Sequence, residues 1–78
     1  MAAQINRYDV AAWLVRNGWD EVNKAGTGHR LFRHSSGVKL VLPGHGSAHL
    51  TRKIAGNIVR TIVEAGFDKA LVRAELGT

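Results

Sequence analysis

The order of elements in this 78-residue chain predicts an α+β fold: a two-layer α-β-β-β-α sandwich with a short C-terminal helix. Three observations carry the prediction. A capped apolar stripe at helical spacing opens the chain, and a longer stripe runs from Ile54 to Val63. Between them lie three short extended stretches separated by turn residues. Connections that short join neighbouring strands as an antiparallel meander and leave no room for a crossover helix. Both helices then cover one face of a three-stranded antiparallel sheet, and the other face is left to solvent or a ligand.

Each element has its own signals. Asn6 is a good N-cap, Asp9 stands at the third helical position, and Ile5 and Val10 are spaced as a hydrophobic staple. Val10, Trp13 and Leu14 form the buried stripe. Gly18 ends the helix in a left-handed conformation, and Trp19 just beyond folds back on Leu14. Trp19 to Lys24 reads as a weak strand and His29 to His34 as a better one; Val38 to Leu42 is the strongest, and Pro43 stops it. Thr51 caps the second helix, whose Gly56 either permits close packing or marks an irregular start near Asn57. Gly66 closes that helix, and Asp68 caps a third whose Leu71, Val72 and Leu76 need an apolar surface to rest on. No internal repeat or linker interrupts the sequence, so residues 1–78 form one domain.

A hydrophobic fraction of 45% is that of a folded protein, and the chain is too short to bury a deep core. It has no cysteine, which excludes disulfides and Cys-based zinc sites and fits a cytoplasmic protein. No apolar run has the length of a membrane span, and no basic-then-apolar leader opens the chain. A formal charge of +5 favours a polyanionic partner.

Chemistry concentrates in Gly26-Thr27-Gly28-His29. Two glycines leave main-chain N–H groups open to an anion, and they deliver a histidine to the start of a strand. Histidine is the side chain whose unperturbed pKa lets it move a proton near neutral pH. Alternation puts His29, Leu31 and Arg33 on one side of the strand and Arg30, Phe32 and His34 on the other. Phe32 is the natural core residue, which leaves His29 on the open face beside Arg33. His45 and His49 stand four apart, yet with no cysteine or nearby carboxylate no metal or other cofactor is expected. His34, beside Ser35, reads as a turn residue.

Five pieces, in order, carry a resemblance: Gly18-Trp19, Gly28-His29-Arg30-Leu31-Phe32, Leu42-Pro43-Gly44-His45, Gly56-Asn57-Ile58-Val59-Arg60-Thr61-Ile62 and Glu64-Ala65-Gly66-Phe67. Over residues 10–67 the chain resembles the HicA (YcfA-like) toxin family. The resemblance implies a fold like that of double-stranded-RNA-binding domains and an endoribonuclease that cleaves mRNA with one histidine, without metal. It also implies a HicB-like antitoxin as partner. On that reading His29 is catalytic, and Thr27, Gly28, Arg30, Arg33, Lys39, His45, Arg52 and Lys53 form the RNA- and phosphate-binding surface. The family usually has Gly-Ser-His where this chain has Thr27-Gly28-His29, so a hydroxyl has moved. The alternatives are a module of the same fold that binds nucleic acid without cutting it, and a protein-interaction domain that uses the open sheet face. A monomer or weak homodimer is expected, with residues 68–78 as a helical extension.

Overall fold

The computed structural model describes residues 5–22, 29–43 and 48–77. Its elements run α1 (Arg7–Arg16), β1 (Trp19–Val22), β2 (Arg30–His34), β3 (Lys39–Leu42), α2 (Arg52–Glu64) and α3 (Lys69–Leu76). The strands form one antiparallel sheet in the order β1-β2-β3. α1 packs on β1, α2 packs on β3, and α3 contacts both helices. The expected α+β architecture is therefore present.

Local chemistry sets the helix boundaries. The Asn6 side chain accepts from the Tyr8 N–H at 2.8 Å, Thr51 from Ile54 at 3.2 Å and Asp68 from Leu71 at 2.9 Å, each taking up a donor that a helix start leaves unpaired. α1 stops where Gly18 turns left-handed, at φ +88°. α2 runs unbroken from Arg52 through Gly56, so that glycine marks no irregular start. A Cβ there would meet nothing within 4 Å, so close packing does not explain it either. The segment leading into α2 is tied to the start of α1: Arg7 N–H donates to the Ala48 carbonyl at 2.8 Å and Leu50 N–H to that of Ile5 at 2.9 Å.

Strand register decides the faces. Trp19, Phe32, Leu40 and Leu42 point to the helices and are buried with Val10, Leu14, Ile58 and Ile62. Asp20, Arg33, Lys39 and Val41 lie on the opposite face, exposed. At one end of the layer Phe67 meets Trp13 with ring centroids 5.5 Å apart, Trp19 at 6.3 Å and His34 at 5.3 Å. His34 closes β2 and belongs to this cluster, besides its bond to the Ser36 hydroxyl in the turn at 3.0 Å.

The third helix is a structural member rather than an appendage. Val72 is 1% exposed, and Glu75 accepts the Trp13 indole N–H at 2.7 Å. Leu71, expected to pack, is instead 55% exposed. Val72→Ala should therefore lower the unfolding free energy by about 2 kcal/mol, two buried methyl groups plus the cavity they leave. Leu71→Ala should stay within about 0.5 kcal/mol, as surface changes do. Equal losses in urea denaturation would show α3 to be misplaced.

Candidate functional site

His29 lies exposed just before β2 and lines a groove of about 310 Å³. Lys39, Leu40, Val41 and Pro43 form one wall, and Ile54, Asn57, Ile58 and Thr61 of α2 form the other. The groove follows from topology: β3 is the outer strand, and the spacing of Ile54, Ile58 and Thr61 turns one face of α2 toward it. Thr27, Gly28 and His45, with the turn at residues 26–28, lie outside the described residues.

The remaining site residues divide by face. Arg33 stands directly across from Lys39 on the open face, with Asp20 across from Arg33 on its other side. Neither cation makes an ion pair among the described residues. Like charges facing each other across strands are unfavourable unless an anion lies over them. Arg30 is not part of that group. It lies on the helix-facing side, where Nε and Nη2 each donate to the Glu21 carboxylate at 2.8 Å, and its guanidinium sits 5.4 Å from the Phe32 ring centre. The hydrogen bond to Glu21 raises the Arg30 pKa above the usual value, so the guanidinium keeps its charge at any working pH. The arginine's contribution to stability is present below its ordinary pKa and is lost as pH rises past that range.

Arg52 and Lys53 occupy the first turn of α2, which has no acidic residue, and Glu64 stands at its far end. Both ends thus oppose the helix dipole, whereas α1 follows it with Asp9 in the first turn and Arg16 in the last. Lys53 also stands one turn before Asn57, on the row that continues to Thr61 along the groove. Arg52 and Lys53, like Arg33 and Lys39, make no ion pair among the described residues. Arg7, which sequence reasoning passed over, is 9% exposed, bonds the Tyr8 hydroxyl at 3.1 Å and lies 5.0 Å from that ring. Its position at the first turn of a helix gave no sign of burial.

Among the described residues no group of three or more His, Cys, Asp or Glu side chains is arranged to hold a metal ion. None of the described helices is long and apolar enough to cross a membrane. The arrangement defines a small α+β domain with a histidine at the rim of a groove and, on two sides, cations that make no ion pair among the described residues. No known protein family and no curated protein matches the chain.

Placing cations against a helix dipole weakens the fold, and removing them separates folding from binding. Arg52→Glu with Lys53→Glu should raise stability by about 0.3–1 kcal/mol per site. The same variant should leave a heparin column at lower salt than the parent. Arg30→Gln should elute with the parent. If Arg30→Gln shifted elution more than the double variant, the division of charge by face would be wrong.

Proposed function

We propose that this protein is a HicA-like endoribonuclease that cleaves mRNA, with His29 as its proton-transfer residue, in a toxin–antitoxin pair with a HicB-like partner. The observation that carries the reading is the place of His29. An exposed imidazole lines a groove whose opposite end holds Lys39, with Arg33 one strand away. The two electrostatic conflicts, Arg33 against Lys39 and Arg52–Lys53 against the α2 dipole, are both relieved by a bound polyanion. Conflicts of this kind collect at functional sites.

RNA carries its own nucleophile, so the chemistry needs no metal. His29 takes the proton of a ribose 2′-hydroxyl, and the oxygen attacks the adjacent phosphorus. The P–O5′ bond breaks, leaving a 2′,3′-cyclic phosphate, and the departing 5′-oxygen takes a proton from water or from the imidazolium. A positioned proton-transfer group is worth about 10²- to 10⁴-fold in rate. Lys39 and Arg33, further along the strands, bind phosphates that flank the scissile one and hold the chain in register at His29. Lys53 and Arg52 hold flanking phosphates, which fix position without reading sequence.

His29→Ala should lower the cleavage rate of single-stranded RNA by about 10²-fold or more. It should also abolish growth arrest on induction and change stability by less than about 0.5 kcal/mol, as expected for an exposed residue. Binding should persist in the variant and weaken steeply with salt, as counterion release requires. Cleavage at the parent's rate would remove His29 from the mechanism. A parent that binds RNA and leaves it whole would be a binding module of the same fold.

A further inference from the structure

We propose that the groove between β3 and α2 is a subsite for one unstacked base of single-stranded RNA, with Asn57 the side chain that reads the base edge. This rests on the ribonuclease reading and adds to it a substrate conformation and a specificity residue. His29 lines the groove, so a ribose-phosphate held at that imidazole sets the attached or neighbouring base beside the groove. A volume of about 310 Å³ lies at the small end of the range of about 300–1,000 Å³ for ligand pockets, suited to one nucleotide. The walls are largely apolar, with Leu40 and Val41 on one side and Ile54 and Ile58 on the other, matching the flat face of a base.

The polar side chains that line the groove are His29, Lys39, Asn57 and Thr61. The Asn57 side chain is exposed and makes no hydrogen bond among the described residues, so its carboxamide offers a donor and an acceptor side by side. Thr61 is committed elsewhere, donating its hydroxyl to the Asn57 carbonyl at 2.9 Å. Lys39 brings an unpaired cation to the same wall, complementary to the phosphate joined to the base. A base inside an A-form duplex is stacked, with its edges paired, and cannot enter; an unpaired one can. The groove thus selects single strands although the open sheet face, with Arg33 and Lys39, attracts any polyanion.

The test measures fluorescence anisotropy of short oligoadenylate, oligocytidylate and oligouridylate, and of an abasic oligomer with the same phosphate count, using parent and Asn57→Ala. Amide NMR shifts are followed in parallel. The parent should bind its preferred homopolymer about tenfold more tightly than the abasic chain, the scale of one well-held base. Shifts should centre on Ile54, Asn57 and Thr61. Asn57→Ala should level or reorder the preference among homopolymers while leaving abasic affinity within twofold, a result that loss of folding would not give. Equal affinity for abasic and base-bearing chains, with shifts confined to Arg33 and Lys39, would overturn the subsite and leave the ribonuclease reading standing. Binding to none of these RNAs would overturn both. Shifts along β3 and α2 caused by an acidic peptide alone, through strand pairing on the β3 edge, would also overturn it.

Discussion

The structure depends on the contact of Phe67 with the two tryptophans. Phe67 follows the glycine that ends α2, and its ring reaches Trp13 on α1, Trp19 at the start of β1 and His34 at the end of β2. One side chain thus fastens both main helices to the sheet at a single corner. Each such ring pair is worth about 0.5–1.5 kcal/mol beyond its buried area. In a chain of 78 residues that corner is a large share of the net stability. It also fixes where α3 begins, and α3 returns the contact by placing Glu75 on the Trp13 indole. Trp19 has no such partner among the described residues: its indole N–H is enclosed without a hydrogen bond to them, a cost of about 1–3 kcal/mol that its apolar burial must exceed.

His29 and His34 bracket β2, so about 16 Å of strand separates the groove's histidine from the aromatic corner. The division follows from the chain's size. A small core is densest where the large rings are, and the opposite end of the sheet is left with smaller side chains and open edges. β3 is one of those edges. Its Lys39 is the kind of residue that keeps an outer strand from pairing with another chain. The same lysine becomes available to a ligand that is an anion rather than a strand.

What was legible in the sequence was what neighbours in the chain decide. Asn6, Thr51 and Asp68 as caps, Gly18 and Gly66 as stops, and the alternation that buries Phe32 all depend on residues within one turn or one strand. The failures share a different cause. Alternation separates Arg30 from Arg33, and the resemblance alone assigns both to one binding surface; only the β1–β2 register reveals Glu21 within reach of Arg30. His34 does open the turn, where its carbonyl accepts from Gly37, but its ring contacts with Trp19 and Phe67, 15 and 33 positions away, are beyond local pattern. The groove depends on which helix covers the outer strand: the short connections of a meander put β3 at an edge, but no local pattern says that α2 is the helix beside it. The α2 charges were readable in principle, since Arg52 and Lys53 follow the cap directly and a dipole argument needs only the helix boundaries.

Net charge alone would not distinguish this surface from that of many small basic domains; the disposition of the carboxylates does. Glu21 is spent on Arg30, Glu75 on Trp13, and Asp9 and Asp68 on the starts of α1 and α3. At a helix start a carboxylate faces the positive end of the dipole, which offsets part of its field. Asp20 is left as the acid of the open face, against Arg33 and Lys39, and the first turn of α2 has none. The open sheet face and the first turn of α2 thus each carry two cations with few carboxylates beside them. Screening over about 8 Å at physiological ionic strength keeps such a field local, so it acts on a phosphate already at the surface more than on distant ones. A phosphate already at the surface of either side therefore meets uncompensated positive charge, whatever the net charge of the chain.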